Sequence, residues 1–266
     1  MITTLSQKTG FHQITKLDCR GLLILAIVLA LLSISAYAQT VSNPSTSAEK
    51  LLIYGASGRI GSIIVDEAIS QGYQVTGVSR DPKKVPQKSG MNLVKGDILD
   101  QQSLTELAQE HDVILVSVGG RPQDPDPKEY IAYKAAVSLI QVLENMGDSA
   151  PRVIFVGNLF TLEIEPGELL LNRVTTDHRN YAMFHGHQYA LEAFLSSNIN
   201  WTVASPPNGL RLTGRSNNLV YGGDLVLRDT DGEPLSISTE DYAYAVIKEI
   251  TEREFFRKRF TVARLR

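Results

Sequence analysis

The most constraining feature of the chain is a glycine-rich stretch at residues 50–61, which reads KLLIYGASGRIG. An apolar run precedes Gly55, Gly58 and Gly61, whose spacing is G-x-x-G-x-x-G, and an amphipathic segment follows over residues 60–71. A strand–turn–helix of this kind gathers backbone N–H groups and the positive end of a helix around one point, which suits a phosphate. The alternative is a purely structural turn, because glycine-rich turns are common. The candidate phosphate-loop residues are Gly55, Ser57, Gly58, Arg59, Ile60 and Gly61.

Segments of strand and helix character alternate from residue 50 onward. Apolar runs predict strands at residues 51–54, 74–78, 92–95, 112–118, 152–156 and 201–204, with helical periodicity between most of them. Strands separated by helices favour a parallel sheet with right-handed crossovers. The C-terminal part differs, because turn signals surround a β-rich piece at 224–228, and a helix at 241–252 and a strand at 259–263 follow. The predicted fold is α/β, a Rossmann-type doubly wound parallel sheet with a small C-terminal α+β cap.

The N-terminal region has the pattern of a leader. Residues 1–20 contain Lys8, Lys16 and Arg20, and residues 21–38 contain no charge and end in Ser-Ala-Tyr-Ala. This pattern predicts a signal peptide cleaved after Ala38, with an uncleaved membrane anchor as the alternative. Either interpretation predicts an exported (periplasmic or secreted) protein or an anchored one that faces outward. A start codon downstream of the leader would instead leave the protein in the cytoplasm.

The remaining organisation follows from composition. A polar Ser/Thr/Asn/Pro tract at residues 39–49 predicts a flexible linker, so the folded domain is expected at residues 50–266. The only cysteine, Cys19, lies in the leader, which excludes an intramolecular disulfide and makes a cysteine metal site implausible. The formal net charge is −3 and the chain has no Lys/Arg cluster, which makes nucleic acid an unlikely partner.

Residues at the ends of the predicted strands indicate the nucleotide. A carboxylate after the second strand would bind the ribose hydroxyls of NAD, whereas the residue here is Arg80, which suits a 2′-phosphate. Arg59 in the loop could clamp the same phosphate from the other side. NADP(H) is therefore expected in preference to NAD(H), unless both arginines are solvated surface residues. After the third strand, Asp97 can accept from the adenine amino group while Ile98 packs on the ring, and Asp97 as a turn cap is the alternative.

The fourth predicted strand ends beside the expected switch point of the sheet. Gly119 follows this strand, and a glycine there would let the cofactor pass close to the backbone. With the loop at 54–61, Ser79-Arg80, Gly96-Asp97 and the run Trp201–Pro207 in order, the chain resembles an atypical short-chain dehydrogenase/reductase. More narrowly it resembles the NAD(P)H-binding branch with NmrA-like proteins and flavin/biliverdin reductases. The resemblance implies a Rossmann-type sheet, NADP(H) and hydride transfer at the mouth of the fourth to sixth predicted strands.

The chain departs from this superfamily at the catalytic pair. Extended members carry Tyr-x-x-x-Lys with a glutamate four residues beyond the lysine, and Glu192 matches that glutamate. The lysine position then holds Gln188 and the tyrosine position holds Phe184, neither of which can transfer the proton. Tyr130 and Lys134 have the right spacing but precede the fifth strand, on the wrong helix. The remaining candidates are Asn158, His185, His187 and Tyr189, of which the first three are predicted to be catalytic.

Each candidate also has a structural interpretation. Asn158 could bind a substrate carbonyl or cap a turn, and His185 and His187 could shuttle a proton near neutral pH or serve only in packing. No metal site is expected, because histidines two residues apart on a helix point in different directions.

Two functions from different classes fit these residues. The first is an NADP(H)-dependent oxidoreductase that transfers hydride to a small carbonyl, flavin or quinone-like acceptor. The second is a binding protein that holds NADP(H) without turnover, as NmrA-like redox sensors do. A sugar-nucleotide epimerase is a more distant alternative, because the epimerases of the superfamily depend on the missing Tyr/Lys pair.

Overall fold

The computed structural model describes residues 48–216 and 218–265, so the predicted leader and most of the predicted linker lie outside the described residues. Within them the strands are β1 (Lys50–Tyr54), β2 (Gln74–Ser79), β3 (Met91–Lys95), β4 (Val113–Val116), β5 (Arg152–Val156), β6 (Glu163–Glu165), β7 (Glu168–Leu169), β8 (Trp201–Ser205), β9 (Leu210–Leu212), β10 (Leu219–Gly222), β11 (Ile237–Ser238) and β12 (Lys258–Arg264). The α-helices are α1 (Gly61–Ser70), α2 (Gln101–Gln109), α3 (Ile131–Met146), α4 (Tyr181–Leu195) and α5 (Thr239–Glu252).

The central sheet has eight strands in the order β10-β12-β8-β5-β4-β1-β2-β3. Neighbouring strands are parallel except for β10, which runs antiparallel to β12. Tyr54 at the end of β1 is in register with Val78 of β2 and Val116 of β4. The chain winds outward in both directions from β1 and β4, so the carboxyl ends of these strands open into one crevice at the switch point.

Helices cover both faces of the sheet. Successive residues of a strand point to opposite faces, and in the central strands the residues on both faces are apolar. Side chains such as Leu52 and Ile114 belong to one core cluster, which includes residues of α2, α3 and α4. Leu51 and Ile53 belong to the opposite cluster, with residues of α1 and α5. The predicted α/β fold is therefore confirmed.

Two segments differ from the prediction. β4 ends at Val116 rather than at residue 118, and the amide of Ser117 donates to the carbonyl oxygen of Tyr54, the last residue of β1, at 2.9 Å. The piece at 224–228 is not a strand, and it makes only isolated bridges from Leu225 and Arg228. Within the C-terminal α+β region, α5 packs on the sheet while β12 and β10 extend it. No helix within the described ranges is long and apolar enough to cross a bilayer.

Candidate functional site

The glycine loop is packed so tightly that two of its positions exclude any side chain. Gly55 has a φ of 83°, and a Cβ there would lie 2.3 Å from the carbonyl oxygen of Ser117. A Cβ on Gly61 would lie 2.1 Å from the carbonyl oxygen of Gly55. The amide of Gly58 donates to that same oxygen at 2.9 Å, which closes the turn. The turn is therefore compact, and the residues at its tip, 57–59, are exposed beside the amino end of α1.

A first cleft of about 620 Å³ lies beside this loop at the carboxyl ends of β1, β2 and β3. Seven of the residues predicted to bind cofactor line it, namely Gly55, Ser57, Gly58, Arg80, Asp97, Ile98 and Gly119. Gly61 is buried behind the loop. Most of the residues that the sequence predicts to bind cofactor therefore lie around one cavity.

Lys84 lines the first cleft as well, and sequence reasoning missed it. A short 3-10 turn at Pro82–Lys84 follows β2, and the ammonium group of Lys84 pairs with Asp81 at 3.0 Å. The Asp81-Pro82 pair could have predicted the position of Lys84, because proline at the start of a turn folds the next residues back toward the preceding strand.

Asp97 and Ile98 have local partners that hold this wall of the cleft. One carboxylate oxygen of Asp97 accepts from the amide of Leu99 at 3.0 Å. Ile98 is buried, and its carbonyl oxygen accepts from the hydroxyl of Ser138 at 2.7 Å. The turn is therefore anchored to α3, while a second oxygen of Asp97 remains to accept a hydrogen bond.

A second cleft of about 520 Å³ continues from the first, and the two share Gly58, Ser117, Val118 and Gly119. Its walls are mostly apolar and include Leu159, Phe160, Met183, Phe184, Pro206, Pro207 and Leu210. The Phe160 and Phe184 rings stack with centroids 3.7 Å apart. Arg59 and Ile60 line this second cleft, whereas Arg80 lines the first. The two arginines predicted to clamp one phosphate thus face different cavities.

Asn158 and His187 both line the second cleft, as the catalytic hypothesis requires. The side-chain oxygen of Asn158 accepts from the amide of Phe160 at 3.0 Å. That bond assigns the oxygen, so the NH₂ group is the free donor of the side chain. Asn158 is therefore a turn cap that still offers a hydrogen-bond donor.

His187 is 7% exposed and packs with ring centroids 5.6 Å from Tyr130 and 6.5 Å from Phe155. Burial lowers the pKa of His187 to about 4, so the imidazole is neutral at pH 7. Its Nδ1 atom is buried and has no hydrogen-bond partner among the described residues. The prediction that this histidine titrates near neutral pH is therefore not supported by its surroundings.

His185 does not join the other two candidates. It does not line either of these clefts, and its ring lies 3.9 Å from that of Tyr181. Partial burial lowers its pKa despite the opposing charge of Glu192. At the position where the superfamily carries lysine, the amide of Gln188 donates to Glu192 at 3.0 Å along the helix.

Tyr130, set aside by the sequence analysis, lines the second cleft. Its hydroxyl donates to the carbonyl oxygen of Gly120 at 3.1 Å and accepts from the Gly120 amide at 3.2 Å. Gly186 permits the approach of α4, because a Cβ there would lie 2.7 Å from the Cβ of Tyr130. Lys134 instead pairs with Glu129 at 3.1 Å. Tyr130 therefore anchors the loop after β4, and among the described residues its hydroxyl has no lysine partner.

Comparison with known proteins agrees with this geometry. The uncharacterized protein YwnB of Bacillus subtilis is 27% identical over 216 residues, which cover 80% of this chain and 97% of that protein. The isoflavone reductase homolog A622 of Nicotiana glauca is 34% identical over 82 residues, or 26% of its length. A solved protein of Burkholderia pseudomallei, provisionally described as exported, has 28% identity and a TM-score of 0.70, covering 81% of this chain and 99% of its own.

The family match covers most of the folded region. The sequence matches the family described as NAD(P)H-binding over residues 55–253. That range includes the three glycines of the loop, every described residue that lines either cleft except Tyr54, and α5. The chain therefore belongs to this NAD(P)H-binding family of Rossmann-like, oxidoreductase-type proteins, and its cofactor is a nicotinamide dinucleotide.

Proposed function

We propose that the protein is an NADP(H)-dependent oxidoreductase whose acceptor is a small carbonyl, flavin or quinone-like compound held in the second cleft. The observation that carries this proposal is the continuity of the two clefts through Gly58, Ser117, Val118 and Gly119. When bound, the dinucleotide supplies a hydride. The residues of the chain hold the nucleotide in one cavity and the acceptor in the other.

The preference for NADP(H) rests on the cations of the first cleft. Arg80 follows β2, and Lys84 lines the same cavity. A 2′-phosphate is a dianion near neutral pH, and a guanidinium with an ammonium group beside it would stabilise that charge. The free oxygen of Asp97 would accept from the adenine amino group, with Ile98 against the ring.

The acceptor side offers apolar walls and few polar groups. The NH₂ group of Asn158 would donate to a carbonyl or ring oxygen of the acceptor. His187, with its pKa near 4, would serve as a neutral hydrogen-bonding group rather than as an acid. The proton that accompanies the hydride would then come from water, since Phe184 and Gln188 cannot supply it.

We propose that this reaction takes place outside the cytoplasm. The leader pattern at residues 1–38 supports export, and the relative in Burkholderia pseudomallei is provisionally described as exported. The isoflavone reductase homolog matches 27% of this chain, which gives modest support to reductase chemistry.

A second candidate function is a non-catalytic NADP(H)-binding sensor. Phe184 and Gln188 in place of the proton-transfer pair favour it, as does the absence of a titrating histidine among the residues that line the second cleft. Both candidates require the same nucleotide cleft, so nucleotide binding alone does not separate them.

Oxidation of NADPH at 340 nm with a panel of flavins and quinones separates the two functions. We expect turnover with at least one acceptor, and a loss of about 10-fold in kcat for Asn158→Asp, which removes the NH₂ donor without changing the shape. Asn92→Asp, on the exposed amino end of β3, is the matched control. Tight NADPH binding with no oxidation by any acceptor would favour the sensor.

A further inference from the structure

Among the side chains that the structure describes in the second cleft, one carries a formal charge at neutral pH. Of the described side chains that line it, Arg59 alone belongs to Lys, Arg, Asp or Glu, and His187 is neutral because its pKa is near 4. The remaining walls are hydrocarbon, the Met183 thioether, aromatic rings, hydroxyls, the Asn158 carboxamide and backbone. An apolar cavity with one positive group at its edge recognises a ligand that is apolar with one negative group.

Arg59 is free to make such a contact. Its side chain is exposed, and it has no ion pair or hydrogen bond within the described ranges of the chain. The backbone carbonyl of Arg59 accepts only a long contact from the hydroxyl of Ser62 at 3.5 Å. An arginine that stabilises nothing in the fold can serve a ligand at no cost to folding.

The position of Arg59 separates it from the nucleotide cations. Arg80 and Lys84 line the first cleft, beside Asp97 and Ile98, and Arg59 is not among the residues that line it. Arg59 instead shares its cavity with the stacked rings of Phe160 and Phe184. Arg59 and the aromatic walls therefore line the same cavity.

We infer that Arg59 selects an acceptor that is a planar aromatic compound with an anionic substituent, such as a phosphate, sulfonate or carboxylate. The rings of Phe160 and Phe184 favour the planar part, and the guanidinium pairs with the anion through charge-assisted hydrogen bonds. This inference rests on the proposed reductase function, because it specifies the acceptor of the same site.

Flavin mononucleotide and riboflavin test the inference, because they share one ring system and differ in a terminal phosphate. The measurement is the ratio of kcat/KM for the two flavins with NADPH as donor, with the Kd for NADPH measured separately by fluorescence. We expect the ratio to favour flavin mononucleotide by about 10-fold, and to fall with added salt because the site is exposed. Arg59→Gln should bring the ratio to about 1, and Arg59→Lys should keep most of it.

The nucleotide side supplies the matched control. Arg80→Gln should raise the Kd for NADPH while the flavin ratio stays high, and Arg59→Gln should show the reverse. A ratio that is near 1 in the wild type, or that survives Arg59→Gln, would overturn the inference. A rise in the NADPH Kd of Arg59→Gln with no change in the ratio would overturn it too, and would assign Arg59 to the cofactor.

Failure of the proposed function has a different signature. If neither flavin nor any quinone is reduced, the reductase proposal fails, and equilibrium binding of the two flavins to the NADP⁺-loaded protein replaces turnover. Tighter binding of flavin mononucleotide that is lost in Arg59→Gln would support the inference without catalysis. Equal binding of the two flavins would overturn it.

Discussion

At the scale of single residues, the cations beside the first cleft should decide which dinucleotide binds better. Arg80→Ala should reduce the preference for NADPH over NADH by about 10-fold or more, since it removes a charge-assisted contact with the 2′-phosphate. Lys84→Ala should have a smaller effect of about 3-fold, because its side chain is 83% exposed and pairs with Asp81. The measurement is the Kd of each nucleotide by fluorescence.

Lys83 offers the control for this pair. It lies next to Lys84 in the same turn but is exposed and does not line the first cleft. Lys83→Ala should leave the ratio of the two dissociation constants within about 2-fold, as expected for a solvated charge. If the ratio of the two dissociation constants does not change in Arg80→Ala, the proposal that Arg80 binds the 2′-phosphate is wrong.

His187 should make the protein less stable at acid pH. Its folded pKa, near 4, lies below the unfolded value of about 6.5, so the unfolded state binds the extra proton first. The stabilising contribution is therefore complete above pH 6.5 and is lost as the pH falls toward 4. Between pH 7.5 and 4.5 this one group should lower the free energy of unfolding by about 2–3 kcal/mol.

His187→Phe removes the titrating group and keeps a ring between Tyr130 and Phe155. Urea denaturation of both proteins at pH 7.5 and 4.5 gives the difference, in which the other titrating groups cancel. Between pH 7.5 and 4.5 the free energy of unfolding of the variant should fall by about 2–3 kcal/mol less than that of the wild type. Equal losses in the two proteins would show that the imidazole is not buried in its neutral form.

At the scale of elements, the turn between β1 and α1 depends on the close approach of two backbones. Gly55 and Gly72 have φ values of 83° and 86°, so alanine is strained at both positions. A Cβ on Gly55 would meet the Ser117 oxygen at 2.3 Å, whereas a Cβ on Gly72 would meet nothing within 4 Å. The pair therefore separates backbone strain from collision.

Gly72→Ala should lower the free energy of unfolding by about 1 kcal/mol, the cost of the left-handed backbone alone. Gly55→Ala should cost more than ~2 kcal/mol and should also weaken nucleotide binding, since the loop must move away from β4. Denaturant unfolding and NADPH titration of the two variants provide the comparison. If the two variants lose the same free energy of unfolding, the loop can move away from Ser117 at no additional energetic cost.

At the scale of the whole molecule, a buried ion pair joins segments that are far apart in the sequence. Arg152 at the start of β5 pairs with Glu249 of α5, and it also donates to the hydroxyl of Thr202 at 2.9 Å. Glu249 in turn accepts from the amides of Glu254 and Phe255, each at 3.1 Å. Both charged side chains are at most 5% exposed, so neither can be solvated if the other is removed.

Arg152→Met or Glu249→Gln alone should therefore lower the free energy of unfolding by about 3–5 kcal/mol, because each leaves a buried group without its partner. The double variant should cost less than the sum of the two. A double-mutant cycle by urea denaturation measures the coupling. Additive losses would contradict a direct interaction between the two side chains.

Processing of the leader is also a property of the whole chain. We expect N-terminal sequencing of the native protein to begin at Gln39, since the small residues at Ala36 and Ala38 match a cleavage site. A start within the leader, together with recovery in the membrane fraction, would favour the anchor. Recovery of a cytoplasmic form lacking the leader would contradict export.

The sequence was sufficient to predict the fold and most of the predicted cofactor residues that line the first cleft, because both depend on local patterns. The apolar runs are typical of buried parallel strands, and Arg80, Asp97 and Gly119 lie within three residues of the ends of β2, β3 and β4. Parallel strands end at one edge of a sheet, so residues at their carboxyl ends meet wherever the sheet forms. The spacing of the glycines is also a local pattern, and it predicts the turn between β1 and α1.

Only the tertiary structure decided which residues share each cavity and which are buried. The sequence assigned Arg59 and Arg80 to one phosphate, yet they line different clefts, because Arg59 lies in the turn before α1 and Arg80 follows β2. Tyr130 reaches the second cleft through its bond to Gly120, and the low pKa of His187 comes from helix packing around it. Distances between segments far apart in the chain, and the loss of water around a side chain, are set by packing and not by local pattern.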